Sequence, residues 1–190
     1  MKHDNDTRHA HGLRPVITPV LGVWPQWGQG CRVAPNATLT GDLILGNECT
    51  VWYNAVLRGD VNAIRIGNQT NIQDGAILHC TYQKAATTVG SKVSIGHRAV
   101  VHGCTIEDEV LIGMGAIVMD HAVVESGCIV AAGAVILENM RCKAGMLYAG
   151  IPARLVKEVS PEQRLSMQET ALRYVEYADW AGLFRLEPLP

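Results

Sequence analysis

Three histidines in the middle of the chain, His79, His97 and His102, have the residue type and placement that favour metal chemistry. Neutral imidazoles bind zinc, iron and cobalt, and three of them with an open fourth position form a typical catalytic zinc site. The remaining histidines, three before residue 12 and His121, are interpreted as ordinary polar side chains. Whether His79, His97 and His102 lie close together depends on the fold of the chain.

The chain around these histidines repeats with a period of six residues. An aliphatic residue opens each unit, glycine often follows it, and a small side chain usually stands four positions after it. Three residues are inserted after Leu57, five more within 81–88, and one is lost between Val101 and Ile106. The aliphatic positions are Val33, Leu39, Leu45, Val51, Leu57, Ile66, Ile72, Leu78, Val89, Ile95, Val101, Ile106, Ile112, Val118, Val124, Val130 and Ile136.

This repeat predicts a mainly β fold, a left-handed parallel β-helix of hexapeptide repeats with a C-terminal α-helix. Three short strands close a triangular coil of about 18 residues, and coils stack about 4.8 Å apart. The left-handed coil is an exception to the usual right-handed crossover. A narrow core of stacked aliphatic residues has little room for aromatic rings, which agrees with the single phenylalanine among 190 residues.

We predict one domain over residues 1–190, with a mobile polar tail at 1–15 and the β-helix at 33–153. The segment before residue 31 lacks the repeat and is expected to cover the first coil. The C-terminal helix is predicted at 160–179, because Ser160, Pro161 and Gln163 form a capping-box start. Apolar residues at near-helical spacing follow it: Leu165, Leu172, Val175 and Ala178.

Composition narrows the possible partners and location. A net charge of −2 argues against nucleic-acid binding and against a polybasic membrane anchor. No apolar run reaches the roughly 18 residues of a spanning helix. The six cysteines are scattered without a CxxC pair, so we interpret them as reduced thiols. These features predict a soluble cytoplasmic protein with no nucleic-acid or membrane partner.

The repeat also predicts which histidines meet. His79 follows Leu78 and His102 follows Val101, and these two aliphatic residues are three units, or one full coil, apart. His79 and His102 should therefore stack on adjacent coils, about one strand spacing apart.

His97 points elsewhere, because it stands two residues after its aliphatic residue, Ile95, and belongs to the preceding unit. One chain thus offers two converging imidazoles and a third on a different side of the prism. A threefold trimer of prisms would bring His97 of one chain to His79 and His102 of the next.

The residues around these histidines resemble the γ-class carbonic anhydrase family. The resemblance lies in NIQDGAILH at 71–79 and IGHRAVVHGC at 95–104, extended by RGD at 58–60 and YAGIPA at 148–153. It covers roughly residues 30–180. It implies a homotrimer with three interfacial metal sites, each holding Zn²⁺, or Fe²⁺ or Co²⁺ in its place. The implied reaction is the hydration of CO₂ to bicarbonate.

The resemblance also implies roles for other residues. Gln73 matches a glutamine beside the metal-bound hydroxide, and Asn71 matches an asparagine that supports it. Arg58 and Asp60 match a charged pair across the subunit interface, which we interpret as serving trimer assembly. Tyr174 in the C-terminal helix is a counterpart of a helix tyrosine near the site.

Two departures from the family pattern concern proton transfer. Val61 and Tyr82 stand where the best-known active members carry glutamates of a proton relay. The chain is therefore similar to the shorter branch of the family, in which activity is often weak or not established. Three alternatives stay open on this fold: a metal-dependent acyl-CoA thioesterase, a hexapeptide acyltransferase, and a metal-binding scaffold with little activity.

Overall fold

A computed structural model describes residues 14–187 of the chain. It is mainly β, a parallel β-solenoid of about seven turns with one C-terminal helix. This confirms the predicted fold class. Most of the predicted polar tail, residues 1–13, lies outside the described residues.

The solenoid has three faces, each built from stacked parallel strands, most of them two or three residues long. The first face carries two of the histidines. In each coil the chain enters this face at a corner after the third face and leaves it at a corner before the second face. Its short strands are β8 (Ile77–His79), β11 (Val100–His102), β14 (Ile117–Val118) and β17 (Val135–Ile136).

Two long strands, β4 (Thr38–Leu45) and β6 (Val56–Ile66), run from the first face around the corner into the second. The register between them shifts after Gly41, because four residues of β6 bulge at this corner before Ile64 pairs with Leu43. The second face continues with β9 (Thr87–Val89), β12 (Thr105–Ile106), β15 (Val123–Val124) and β18 (Arg141–Cys142). The third face stacks β3 (Arg32–Val33), β5 (Thr50–Val51), β7 (Asn71–Ile72), β10 (Ser94–Ile95), β13 (Leu111–Ile112), β16 (Ile129–Val130) and β19 (Met146–Gly150).

The core consists of aliphatic ladders that run along the solenoid. On the first face, each inward residue pairs with the inward residue one coil away, and all of them are fully buried. This ladder contains Leu39, Leu57, Leu78, Val101, Val118 and Ile136. Small residues at the corners, such as Ala76 and Ala99, are buried as well. The alternation of large and small inward residues is what lets the coils close tightly.

The single helix, α1 (Pro161–Trp180), lies against β5, β7 and β10 on the third face. Its predicted capping box is present, because Ser160 Oγ accepts from the Gln163 backbone and Gln163 Oε1 accepts from the Ser160 backbone. The buried helix residues are Met167, Ala171 and Ala178. Leu165 and Leu172, whose spacing helped to predict the helix, are instead more than half exposed. Within residues 14–187, no helix is long and apolar enough to cross a membrane.

Both ends of the chain add strands that the repeat does not predict. At the start, β1 (Val16–Thr18) and β2 (Gln26–Trp27) pair in parallel with β4 and so continue the stack. At the end, β20 (Ala153–Glu158) folds back antiparallel to β19, and β21 (Phe184–Arg185) pairs antiparallel with β3. The six cysteines are all buried and free, as expected for reduced thiols.

Candidate metal centre

Two of the three candidate ligands meet on the first face. Strands β8 and β11 pair in parallel, with His79 opposite His102, as the counting of six-residue units predicts. Both imidazoles point outward beside the corner that leads to the second face, while their neighbours Leu78 and Val101 point into the core. The strand alternation therefore presents two imidazoles side by side on one surface.

The spacing of these imidazoles fits two ligands of one metal ion. His79 Nδ1 and His102 Nε2 lie 3.1 Å apart. Two nitrogen ligands of tetrahedral zinc, each about 2.0–2.1 Å from the metal, are separated by about 3.3 Å. The two nitrogens that face each other thus stand at a ligand-to-ligand distance.

Each of these histidines also has a carboxylate on its other ring nitrogen. His79 Nε2 lies 3.0 Å from Asp60 Oδ1, and His102 Nδ1 lies 2.5 Å from Asp120 Oδ1. Carboxylates in this position fix the tautomer and orientation of metal-binding histidines. Asp60 in turn pairs with Arg58 of the same chain through its other oxygen.

Both carboxylates are held in the charged form. Partial burial raises the pKa of Asp60, but hydrogen bonds that its carboxylate accepts from His79 and Arg58 outweigh it, so this pKa lies below its usual value. Burial likewise raises the pKa of Asp120, and hydrogen bonds accepted from Thr81 and His102 bring it below the usual value. The pair of histidines therefore has a negative group on each side, which favours a bound cation.

His97 lies at the other edge of the first face, in the corner that follows β10. Its Nδ1 is 2.8 Å from Asp74 Oδ2, so this histidine also has a carboxylate partner. The chain advances about 10 Å along the strand between residue 99 and His102, at about 3.3 Å per residue. His97, which lies before this strand, is therefore far from His79 and His102 of the same chain. Among residues 14–187 of one chain, no three His, Cys, Asp or Glu side chains are grouped to hold a metal.

Gln73 and Asn71 form a buried polar network next to His97. Gln73 Oε1 accepts from the His97 backbone N–H at 3.2 Å, and Gln73 Nε2 donates to Asn71 Oδ1 at 3.0 Å. Asn71 Nδ2 donates to Ser94 Oγ at 2.8 Å beneath the helix. Gln73 is thereby held in one orientation and keeps one N–H and one oxygen lone pair free.

Tyr174 lies on the side of α1 that faces this network. Its ring packs edge-on against Trp52, with ring centres 5.3 Å apart. Burial and the negative charge of Asp74 raise the pKa of Tyr174. The helix thus places the phenol within electrostatic range of the Asp74 carboxylate, and the phenol stays protonated.

Two cavities adjoin His97. One, of about 320 Å³, is mostly apolar and extends along the third face from Gln73 and His97 past Leu111 and Ile129. The other, of about 560 Å³, lies at the corner itself and is lined by Asp74, His97, Arg98, Met114 and Gly115. The imidazole of His97 therefore borders open space on two sides.

Sequence reasoning brought out the histidines, Gln73, Asn71, Tyr174, Arg58 and Asp60, and missed two carboxylates. Asp74 could have been identified from the sequence, since it directly follows Gln73 in the motif. The signal for Asp120 is weaker. It stands eighteen residues after His102 and one coil away, but only the direction of its side chain reveals that it meets the imidazole.

Comparisons with known proteins indicate the family of this chain. Residues 103–138 match the family described as "Bacterial transferase hexapeptide (six repeats)". Gamma carbonic anhydrase 3, mitochondrial, of Arabidopsis thaliana is 42% identical over 179 residues, which cover 92% of this chain and 69% of that protein. Gamma carbonic anhydrase 1, mitochondrial, of the same plant is 40% identical over 162 residues, 83% of this chain and 59% of that protein.

A solved structure extends the match to three dimensions. The hexapeptide transferase family protein from Anaplasma phagocytophilum is 38% identical with a TM-score of 0.83, covering 87% of this chain and 97% of that one. The chain spans about three-fifths of the length of gamma carbonic anhydrase 1. On sequence identity and coverage, the chain belongs to the γ-class carbonic anhydrase family.

Proposed function

We propose that the protein hydrates CO₂ to bicarbonate at metal sites between the subunits of a homotrimer. His79 and His102 of one subunit and His97 of the next would hold the metal, which we propose is Zn²⁺, with Fe²⁺ or Co²⁺ able to use the same ligands. The observation that carries the proposal is the 3.1 Å spacing of His79 Nδ1 and His102 Nε2, with a carboxylate behind each ring.

Zinc in such a site lowers the pKa of a bound water from 15.7 to about 7, which makes hydroxide available at neutral pH. The protein's own residues have different tasks. Asp60, Asp120 and Asp74 orient the three imidazoles, and the apolar cavity beside His97 suits a small uncharged substrate. Gln73 is held by Asn71 and by the His97 backbone, so its free amide hydrogen and lone pair can orient the substrate without adding a charge.

The first face supports the trimer that this site requires. It lies between the His97 corner and the His79 and His102 corner, so a threefold arrangement that joins these corners turns the face towards the centre. Its outward ladder is apolar, and two members, Ile77 and Ile117, are 43% and 37% exposed in one chain. The ladder contains Val56, Ile77, Val100, Ile117 and Val135.

Hydrolysis of a small acyl thioester is the second candidate, and the apolar cavity favours it. At about 320 Å³ this space is far larger than CO₂ needs, since a single water molecule takes about 30 Å³. A short acyl chain would fit between Gln73 and Ile129, and a metal held by the three histidines would supply the activated water that hydrolysis of a thioester to an acid and a free thiol needs. The acyltransferase and the scaffold without turnover have no comparable support in the geometry.

One experiment separates these functions. Metal-replete protein is assayed for CO₂ hydration by stopped flow, beside a panel of acyl-CoA thioesters of two to eight carbons. His102→Ala, which loses a ligand, and His121→Ala, which does not, are measured in parallel. We expect CO₂ hydration that His102→Ala abolishes and His121→Ala keeps. Thioester cleavage without CO₂ hydration would favour the second candidate, and neither activity would favour the scaffold.

A further inference from the structure

Asp120 connects a metal-binding histidine to the loop between β8 and β9. Asp120 Oδ1 lies 2.5 Å from His102 Nδ1, and Asp120 Oδ2 accepts a hydrogen bond from the Thr81 hydroxyl. All three side chains are partly buried. Because both carboxylate oxygens are engaged, Asp120 has one orientation, and it transmits that orientation to the imidazole.

This contact decides which nitrogen of His102 faces the metal position. A carboxylate at Nδ1 favours the tautomer with its proton on Nδ1, which leaves the lone pair on Nε2. Nε2 is the atom that faces His79 Nδ1 at 3.1 Å. Asp120 therefore aims the free lone pair of His102 at the place where the two histidines converge.

The chain makes room for this carboxylate at Gly103. A Cβ atom added to Gly103 would lie 2.5 Å from Asp120 Oδ1, closer than a carbon and an oxygen can approach. Gly103 also has a φ of +56°, which glycine adopts without strain. Glycine directly after His102 thus permits both the backbone turn and the approach of Asp120.

Directly after this loop, Thr87, the first residue of β9, joins the backbones of His79 and Gly103. The Thr87 hydroxyl donates to the His79 carbonyl at 2.6 Å and accepts from the Gly103 N–H at 2.9 Å. Thr81 and Thr87 therefore fix the pair from two sides, one through the side chain of His102 and one through the main chain. The loop carries Tyr82, which is exposed and has no carboxylate. The contacts of the loop therefore support the two histidines structurally.

We propose that Asp120, anchored by Thr81, is a positioning residue that sets the metal affinity of His102. The proposal rests on the metal site proposed above. Losing a carboxylate that supports a metal-binding histidine typically lowers metal affinity 10- to 100-fold. Asp120→Ala should therefore weaken zinc binding by about that factor, and Asp120→Asn, which keeps an acceptor oxygen, should weaken it less.

The test measures the zinc dissociation constant by competition with a chromophoric chelator, on the full chain at fixed pH. Thr81→Val removes the donor to Asp120 at nearly constant shape, and Thr81→Ser keeps it. We expect Thr81→Val to weaken zinc binding several-fold and Thr81→Ser to match the wild type. The visible spectrum of the Co²⁺-loaded protein should change with Asp120→Asn and Thr81→Val, because the geometry around the ligand changes.

Asp108→Asn is the matched control, because Asp108 also lies at a corner and accepts a backbone N–H, from Ser91 at 2.7 Å, but faces no histidine. Its zinc affinity should equal that of the wild type. Wild-type affinity in Asp120→Ala and Thr81→Val, or an equal loss in Asp108→Asn, would overturn the proposal. If Asp120→Ala does not fold, the difference in zinc affinity between Thr81→Val and Thr81→Ser tests the proposal. Unchanged zinc binding by His102→Ala would instead refute the metal site itself.

Discussion

Each of the three candidate ligands has one carboxylate at hydrogen-bond distance, and the three carboxylates come from three different parts of the solenoid. Asp60 lies in the bulge of β6, Asp74 in the corner after β7, and Asp120 in a corner one coil beyond His102. An imidazole that is fixed before the metal arrives loses less rotational freedom on binding. The three acids therefore prepare the ligands in each subunit separately.

A complementation experiment tests the sharing of ligands between chains. His79→Ala and His97→Ala should each abolish zinc binding in homotrimers, because every site then lacks one ligand. In trimers reassembled from an equal mixture, about one quarter of the interfaces should combine an intact His79–His102 pair with an intact His97. The measurement is zinc per trimer after removal of free metal.

Wild-type protein unfolded and refolded in the same way is the control for recovery. If wild type regains zinc and the mixture regains none, His97 does not come from the neighbouring chain.

Proton transfer should depend on external buffer. CO₂ hydration releases a proton, and Val61 and Tyr82 stand where a carboxylate relay would receive it. We expect kcat to rise with imidazole concentration at constant pH and ionic strength, because the buffer acts as general base. The effect should be in kcat and not in kcat/KM, since proton export follows the attack on CO₂.

Tyr82 is the better position at which to restore a relay, because it is 63% exposed whereas Val61 packs against the core. Tyr82→Glu should raise kcat in weak buffer, and Tyr82→Gln, of similar shape without the charge, should not. A wild-type kcat that is fast and independent of buffer would contradict this prediction and indicate another internal acceptor.

At the scale of elements, the repeat determines the register, and the register can be read without coordinates. The pairing of β8 with β11, and hence of His79 with His102, follows from counting six-residue units. The buried side of α1 does not follow, because the helix packs through Met167, Ala171 and Ala178, while Leu165 and Leu172 remain exposed. The third face beneath it presents polar residues such as Asn71 and Ser94, so hydrophobic periodicity is a weak guide there.

The short strands β1, β2 and β21 are unpredictable for a related reason. Each is only two or three residues long and pairs with an existing edge, so backbone hydrogen bonds to the neighbour specify it and no repeat does. Asp120 escaped prediction because its importance depends on where one side chain points, which a repeat of six does not encode.

The end of α1 is tied to the third face by an ion pair that makes stability depend on pH. Arg32 Nε and Nη2 bind the two oxygens of Asp179 at 2.5 and 2.9 Å. The hydrogen bond from Arg32 holds the pKa of Asp179 below its usual value of 3.8. Because the pKa is lowered in the folded state, the ion pair contributes fully to the free energy of unfolding well above pH 3.8. That contribution is lost as the pH falls below this value.

Asp179→Asn should therefore lower stability at pH 7 and lower it less near pH 2. Because the Asp179 side chain is half exposed, we expect a loss of only about 1 kcal/mol, or about 2–4 °C in Tm. Thermal unfolding of both proteins at the two pH values measures this. Glu169→Gln, which breaks the exposed helix pair with Arg173, is the control and should change Tm less. An equal loss at both pH values would contradict the assignment.

At the scale of the whole molecule, the outward ladder of the first face should hold the trimer together. Ile77→Glu should place three carboxylates around the threefold axis, where burial and like charge oppose association. We expect the mass in sedimentation equilibrium to fall from about three times 20.6 kDa towards 20.6 kDa, with loss of bound zinc.

Leu165→Glu is the matched control, because Leu165 is an exposed leucine on α1, away from the first face. It should leave the mass and the zinc content unchanged. A wild-type protein that is monomeric yet binds zinc stoichiometrically would contradict the shared site.

The pairing of strands one coil apart has a consequence for how such a chain can change its length. Ile117 pairs with Val135, eighteen residues later, and every coil in this part is a translated copy of the one before it. A duplicated coil beyond Val118 would move β19 and β20 by one strand spacing, about 4.8 Å, and leave the histidines in place. A single added residue within a strand would turn the neighbouring inward side chains out of their ladders, whereas a corner can absorb such a change, as the missing residue between Val101 and Ile106 shows. Indels within the strands should thus come in steps of eighteen, and other lengths should be confined to corners, such as the one between Val101 and Ile106, and to interruptions such as the 81–88 loop.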